Sequence, residues 1–288
     1  MITTPVDVPV SPPYRDMHWH VRCDPADPYL HDHRPGGQPL LGTVANLDRI
    51  AAGLAERVPS GRIVAIEDVR IGRPLIFTSP SPVALDIDAT TIGQGSIRAQ
   101  SSTGGDLANP HVAASFHLAG RFRSAPPFGG QGLTGNAVTA SDVYACLFHG
   151  PSFRVVGTAA LQGEQLVARS ANRLPPLRRH SPASAMAPRT IEFGLQCAGL
   201  LQLALDGSMA IPLAIARIER FDEFDVGSGE PLHAVASRTA DGKFDIAVGH
   251  PGGLLVARII GYATTPLPFA HDNDAARTLA SQLRGTVS

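Results

Sequence analysis

Cysteine is scarce in this sequence, and so are long apolar runs and any excess of charge of one sign. The 288 residues include three cysteines, Cys23, Cys146 and Cys197. They are too few and too widely spaced for a disulfide framework or a four-ligand zinc site. We therefore expect reduced side chains that serve packing.

The near balance of charge excludes further classes of protein. The chain has 24 Lys and Arg against 25 Asp and Glu, a formal net charge of −1, and no basic run. A nucleic-acid-binding surface and an electrostatic membrane anchor therefore have no support. The chain also lacks a run of roughly 18 apolar residues, and its first residues, MITTPVDVPVSPP, lack the basic stretch and apolar core of a signal peptide. These features predict a cytoplasmic protein.

What is present is the composition of a globular protein. Hydrophobic residues make up 43% of the chain and charged residues 17%. The most linker-like segment, Ser124–Asn136 (SAPPFGGQGLTGN), lies near the middle. We therefore predict an N-terminal domain at residues 1–123, a linker at 124–136, a C-terminal domain at 137–270 and a polar tail at 271–288.

Each half carries extended structure, one long apolar helix and then several strands. Apolar residues recur at helical spacing in Pro39–Val58 and in Thr190–Leu205, which predicts two helices. The tail is predicted to be helical from Asp274 to Arg284. Segments rich in Val, Ile, Phe and Thr between Gly, Pro and Ser clusters predict antiparallel strands. These segments are Trp19–Asp24, Arg62–Phe77, Val83–Gln100, Ala108–Arg123, Val155–Ala171, Ile211–Phe224, Leu232–Thr239, Phe244–Gly249 and Leu254–Thr265.

The two helices determine the predicted architecture. A helix that is apolar nearly all round must be covered on more than one side, and a curled antiparallel sheet can do this. We therefore predict an α+β fold in which two antiparallel sheets each wrap around a long central helix. Two unrelated α+β domains are the alternative, because periodicity alone does not separate the two arrangements.

A histidine lies in a glycine-containing turn just before the first predicted helix. Residues Tyr29–Gly42 read YLHDHRPGGQPLLG. Backbone N–H groups at a helix start are free to donate, so a base here would stand beside an oxyanion site. The stretch resembles the His-x-x-x-Gly-x-x-x-x-Pro motif of dehydratase domains in polyketide and fatty acid synthases. His33 and Gly37 match this motif, and Gly42 replaces its final proline.

A second motif follows the linker. Residues Tyr144–Phe153 read YACLFHGPSF, in which Gly150-Pro151 between apolar residues is typical of a tight turn. The stretch also resembles the Tyr-Gly-Pro-x-Phe motif of the same dehydratases, with His149 at the tyrosine position. The Leu-Phe-His-Gly-Pro form is most similar to synthases of the polyunsaturated fatty acid and glycolipid types. On this resemblance His149, Gly150, Pro151 and Phe153 are substrate-binding residues.

The third motif lies on the second predicted helix. Glu192 and Gln196 are four residues apart, so on a helix they share a face and the amide can orient the carboxyl group. The segment resembles the His-Pro-x-x-x-Asp motif with a following glutamine. Pro188 and Gln196 are retained, Ala187 replaces the histidine, and Glu192 replaces the aspartate.

Together the motifs resemble the double hotdog dehydratase domains of polyketide synthases, from about Trp19 to Pro268. The resemblance implies removal of water from a β-hydroxyacyl thioester on the phosphopantetheine arm of an acyl carrier protein. Neutral His33 would remove the α-proton, and Glu192, kept protonated by its apolar helix, would donate to the departing hydroxyl. Gly37 would donate its N–H to the enolate oxygen, and Gln196 would hold Glu192.

The resemblance implies no metal and no cofactor, the charge balance implies no nucleic-acid or membrane partner, and a homodimer is left open. Two other classes of function stay open. One is a double-bond isomerase or cyclase on the same scaffold, for which the changes at Gly42, His149 and Glu192 leave room. The other is a non-catalytic acyl-binding module, which retention of His33 and Glu192 disfavours.

The histidines allow a further alternative. His18 and His20 form a His-x-His pair on a predicted strand, with His31 and His33 nearby, and such pairs can bind zinc or iron. No third ligand stands at a recognised spacing. The glycine pairs do not form a phosphate-binding loop between a strand and a helix. The other histidines, and His31 among them, are predicted to be surface or packing residues: His111, His117, His180, His233, His250 and His271.

Overall fold

The computed structural model describes residue 10 and residues 15–130, 132–177, 185–267 and 274–285. The first residues, MITTPVDVPVSPP, lie outside these ranges except for Val10. His180 and His271 also lie outside them. The first half contains β1 (Asp16–Cys23), α1 (Pro28–His31), β2 (Leu40–Leu41), α2 (Thr43–Arg57), β3 (Arg62–Ile71), β4 (Leu75–Ile76), β5 (Val83–Gly93), β6 (Ser96–Ser102) and β7 (Val112–Ala119). The second half contains β8 (Val138–Thr139), α3 (Ala140–Cys146), β9 (Val156–Gln162), β10 (Gln165–Ser170), α4 (Pro188–Asp206), β11 (Ala210–Arg220), β12 (His233–Arg238), β13 (Phe244–Gly249), β14 (Leu255–Pro266) and α5 (Asp274–Arg284).

All the described strands except β2 and β4, which pair with each other, form one continuous antiparallel sheet across the two halves. Its order is β1-β5-β6-β7-β3-β11-β14-β13-β12-β10-β9-β8 in the described ranges. The halves meet where β3 pairs with β11, with Ile66 opposite Ile218. This pairing carries the sheet from one half into the other. The predicted domain boundaries stay predictions.

Each half of the sheet covers one long helix, as the sequence predicts. Helix α2 packs on β3, β6 and β7, and α4 packs on β9 to β14. Nearly every residue of α4 from Pro188 to Ala204 is buried. A helix with so little polar surface is stable only when it is covered on several sides, and the sheet together with α2 and α5 provides that cover. No helix in the described ranges is long and apolar enough to cross a membrane.

The start of the first helix differs from the prediction. Helix α2 begins at Thr43, whereas Leu40 and Leu41 pair with Ile76 and Leu75 as a short strand. The apolar pattern could not separate these states, because a buried strand residue and a buried helix residue are equally apolar. The helix therefore starts after Gly42 and not at Pro39.

The tail is more closely integrated than a polar tail would be. Helix α5 has the predicted bounds, Asp274–Arg284, but its apolar face is buried at Ala276, Leu279, Ala280 and Leu283. It packs against α3 and α4, and Arg284 donates to the carbonyl of Ala204 at 3.0 Å. The sequence indicated the helix but not the surface that it covers.

A pair of helical glycines provides a test of this packing. A Cβ added at Gly53 of α2 would lie 2.2 Å from Nε1 of the buried Trp19, whereas one at Gly199 of α4 would meet nothing within 4 Å. Gly53→Ala should therefore destabilise the fold by about 1–3 kcal/mol despite its gain in helix propensity. Gly199→Ala should stabilise it by about 0.5–1 kcal/mol. Urea unfolding measures both, and equal effects would contradict the contact between Trp19 and α2.

Candidate active site

His33 lies in the loop after α1, and its protonation state follows from its surroundings. Its Nδ1 is 3.2 Å from the carbonyl oxygen of Leu40. A carbonyl can only accept, so Nδ1 carries the hydrogen and Nε2 keeps its lone pair. Burial, followed by the neighbouring His149, lowers the pKa of His33 to about 4. The ring is therefore neutral near pH 7 and available as a base.

Three aromatic rings surround His33. The ring centroids of Phe148, His149 and Phe153 lie 5.1, 5.5 and 6.3 Å from its own. All three belong to the motif that follows the linker. The two motifs, more than a hundred residues apart in the sequence, thus form one wall, and His33 and His149 also meet as an isolated antiparallel bridge.

Asp32 holds the two motifs together. Its carboxylate Oδ2 accepts hydrogen bonds from the N–H of Ser152 at 2.8 Å and from the Ser152 hydroxyl at 2.6 Å. Its backbone carbonyl accepts from the N–H of Gly150 at 2.7 Å. A Cβ at Gly150 would lie 2.6 Å from Oδ1 of Asp32, so the glycine permits this close approach. Gly150-Pro151 therefore forms a tight turn that also places His149 beside His33.

Glu192 lies on the buried helix α4 and faces the same wall. Its Oε1 is 3.2 Å from Nε2 of His149 and accepts from Nε2 of Gln196 at 3.0 Å. Gln196 also donates to the carbonyl of Phe153 at 3.0 Å and accepts from the hydroxyl of Tyr144 at 2.8 Å. This chain of hydrogen bonds fixes the amide orientation of Gln196 and thereby the carboxyl group of Glu192.

The pKa of Glu192 differs from the prediction that burial would keep the side chain protonated. Burial, the largest single cause, raises the pKa of Glu192. The hydrogen bond and the electrostatic interaction with His149, the electrostatic interaction with His33 and the hydrogen bond from Gln196 together lower it by more than burial raises it. The net pKa of Glu192 is below its ordinary value, so the free site holds a carboxylate at neutral pH. The prediction was wrong because it considered the apolar helix and not a donor from another segment.

Comparison with known protein families agrees with this geometry. A family model described as the polyketide synthase dehydratase domain matches residues 7–103. A curated relative, polyketide synthase ThaG of Burkholderia thailandensis, is 28% identical over 264 residues, which cover 85% of this chain. The chain spans about 4% of the length of that relative.

Solved structures share the fold. The dehydratase domain from the CurK module of curacin polyketide synthase is 17% identical, with a TM-score of 0.71 over 88% of this chain and 94% of that one. A dehydratase domain of a trans-AT polyketide synthase from Brevibacillus brevis is 16% identical, with a TM-score of 0.69 over 92% and 99%. The chain has the double hotdog fold of polyketide synthase dehydratase domains, and its residues 7–103 match the model of that family. The predicted double hotdog is confirmed.

The fold brings together most of the side chains that the sequence indicated. His33, His149, Glu192, Gln196 and Phe153 share one site, and Gly150 and Pro151 form the turn beside it. Gly37 differs from the prediction: its N–H donates to the carbonyl of Arg34 at 3.0 Å within the turn Pro35–Gly37, and not at the start of α2. The structure therefore gives no support to Gly37 as an oxyanion donor.

Three residues of the site were not recognised from the sequence. They are Asp32, Ser152 and Tyr144, which hydrogen-bond to one another or to Gln196 and so hold the site together. Asp32 stands next to His33 and Ser152 follows Pro151, so adjacency to a motif was the available signal. Only the fold shows that the two motifs contact each other.

The other candidate residues have ordinary roles or a different location. Of the four clustered histidines, His33 lies in the site, His31 contacts Arg34, and His18 and His20 lie on β1. Cys197 is buried and Cys146 half-buried, and burial raises the pKa of both thiols. Thiols held in this way are poor nucleophiles, which agrees with packing roles.

The link made by Asp32 can be tested by stability. Asp32→Ala would leave the buried N–H of Ser152 without its acceptor and the hydroxyl with only the longer contact to the carbonyl of Pro28 at 3.3 Å, at a cost of about 1–3 kcal/mol in the free energy of unfolding. His31→Ala, at an exposed neighbour, should change that free energy by less than about 0.5 kcal/mol. Urea unfolding of both variants measures the difference. Similar values would show that the carboxylate does not hold the two motifs together.

Proposed function

We propose that this chain removes water from a β-hydroxyacyl thioester carried on the phosphopantetheine arm of an acyl carrier protein. The observation that carries the proposal is the meeting of His33, His149 and Glu192 between the two halves of the fold. Elimination from such a substrate needs a base and an acid beside adjacent carbon atoms. A homodimer stays open, and the cytoplasmic location remains a prediction.

In the proposed reaction, Nε2 of His33 takes the α-proton, and the electrons move into the thioester carbonyl as an enolate. The enolate then re-forms the carbonyl, the bond from the β-carbon to oxygen breaks, and protonated Glu192 gives its proton to the departing hydroxyl. Water and the α,β-unsaturated thioester leave. A proton returned from His33 to Glu192 restores the starting site. The fixed tautomer of His33 supports its part in this scheme.

The enolate oxygen needs a donor, and Gly37 is already engaged. The first turn of α2 offers N–H groups that have no acceptor within the helix. It begins next to Gly42, at which an added Cβ would lie 3.0 Å from Nε2 of His33. We therefore assign the oxyanion role to the start of α2. The glycine at this position keeps space free beside the base.

Two of the solved neighbours add support of a general kind. They are CurK dehydratases described as inactive mutants, one with a histidine replaced by phenylalanine and one with an aspartate replaced by asparagine. That enzyme therefore depends on a histidine and a carboxylic acid. His33 and Glu192 are the residues of this chain that we propose for the two roles.

The first test of the function uses a β-hydroxyacyl carrier-protein thioester, with mass spectrometry to follow the loss of water. The wild-type chain should release water, and His33→Ala should lower the rate about 10²–10⁴-fold because it removes the base. His31→Ala should stay close to wild type. Glu192→Gln should be nearly inactive because an amide cannot supply a carboxylic proton, and Glu192→Asp should keep part of the activity.

The same assay separates the alternatives. A wild-type chain that releases no water but converts an unsaturated hydroxyacyl thioester to an isomer or a ring would be an isomerase or cyclase. A chain that binds the loaded carrier protein and changes nothing would be an acyl-binding module. A folded His33→Ala protein with wild-type turnover would overturn the assignment of the base.

The contact between His149 and Glu192 generates a prediction about pH. The acid must be protonated, and His149 lowers its pKa, so kcat/KM should fall as pH rises through the pKa of Glu192. His149→Phe removes the donor and should shift this alkaline limb to higher pH. His149→Gln retains an N–H donor but loses the charge interaction, and should shift the limb less than His149→Phe does. Tyr144, Tyr262 and His33 also face Glu192 and are unchanged in both variants. Identical limbs in all three proteins would show that His149 does not control the acid.

A further inference from the structure

The outer face of the edge strand β1 carries two histidines next to two aspartates of β5. Met17 and Trp19 point into the core, so the alternating residues His18 and His20 lie on the opposite face. In the antiparallel register His18 stands opposite Asp88, and His20 stands opposite Asp86. This arrangement supplies a third ligand, Asp86. Spacing in the sequence did not reveal it, because Asp86 is 66 residues from His20 along the chain.

The ligand atoms of this cluster converge. Nδ1 of His20 is 2.7 Å from Oδ1 of Asp86, and Nδ1 of His18 is 3.0 Å from Oδ1 of Asp88. The two imidazole centroids are 4.7 Å apart. One ligand atom from each of His18, His20 and Asp86 lies within 4.8 Å of the other two. Two ligands of one metal at about 2.0–2.2 Å stand roughly 3 Å apart, so only small side-chain rotations are needed.

Asp86 is held in place by a backbone hydrogen bond. Its side chain is 12% exposed, whereas those of His18 and His20 are 50% and 63% exposed. The backbone N–H of Gly105 donates to Oδ2 of Asp86 at 2.9 Å. The carboxylate therefore keeps its Oδ1 toward the histidines. Asp88 orients the ring of His18, as carboxylates outside the first coordination shell commonly do for histidine ligands.

We propose that His18, His20 and Asp86 form a binding site for a divalent transition-metal ion, with zinc as the best-suited ion. Two neutral imidazoles and one carboxylate suit Zn²⁺ and also Co²⁺ or Ni²⁺, and they leave coordination positions for water. The site lies on the outer face of the sheet and does not include His33, His149 or Glu192. It is therefore independent of the proposed dehydration.

The competing explanation is that the cluster consists of two cross-strand ion pairs that stabilise the edge of the sheet. Pairs this exposed contribute little to stability, and they do not require both histidines to meet one carboxylate. The two explanations differ in what they predict for added metal. Ion pairs alone would give no saturable binding, whereas the metal site would bind one ion per chain.

The test uses the full chain without a histidine tag, in a buffer that does not chelate metals. Isothermal titration with Zn²⁺ should give one site, and Co²⁺ at the same site should give a visible absorption band that Zn²⁺ removes. His20→Ala and Asp86→Asn should each weaken binding more than about tenfold, because each removes a ligand. His33→Ala and His250→Ala should bind as the wild type does. Zn²⁺ should raise the Tm of the wild type but not of His20→Ala.

Three results would overturn the proposal. The first is the absence of saturable Zn²⁺ binding to the wild type. The second is unchanged binding in both His20→Ala and Asp86→Asn, with circular dichroism showing that each is folded. The third is loss of binding in His33→Ala together with its retention in His20→Ala, which would place the ion at His33. None of these results bears on dehydration, which the carrier-protein assay measures separately.

Discussion

The site depends on the hydrogen bonds that Asp32 makes across the two halves of the fold. Its carboxylate accepts from the N–H and the hydroxyl of Ser152, and its carbonyl accepts from Gly150. These bonds add to the bridge and the ring contacts between His33 and His149 and hold the two segments together. Loops position reactive groups well only when a rigid scaffold holds them, and here one acidic residue connects the two loops.

Glu192 reaches the same place by a different physical route. Helix α4 is fixed by burial on nearly all sides, so the position of its carboxyl group is set by packing and not by a loop. Arg189, at the start of α4, donates to the carbonyl of Ser152 at 3.0 Å. The turn after the linker is thereby bonded both to the loop of His33 and to the helix of Glu192.

The sequence predicted much of the fold because apolar periodicity and turn residues are local signals. Thr190–Leu205 lies within α4, and Asp274–Arg284 matches α5. The apolar pattern failed at Pro39–Leu41, because a buried residue of a strand is as apolar as a buried residue of a helix. It also gave the wrong direction for the pKa of Glu192, because the donor of the decisive hydrogen bond, His149, lies 43 residues away in another element. The spacing of Glu192 and Gln196 was predictable since both lie on one helix.

The protons of the site belong to the cluster and not to single residues. His33 and Glu192 each influence the pKa of the other, and His149 lowers both. A neutral His33 beside an ionised Glu192 is one proton short of the base-and-acid pair that elimination needs. Since groups this close titrate together, a substrate that excludes water and favours the uncharged acid would supply the reactive form. The histidine in the Gly-Pro turn, His149, therefore biases the carboxyl group of Glu192 toward its charged form.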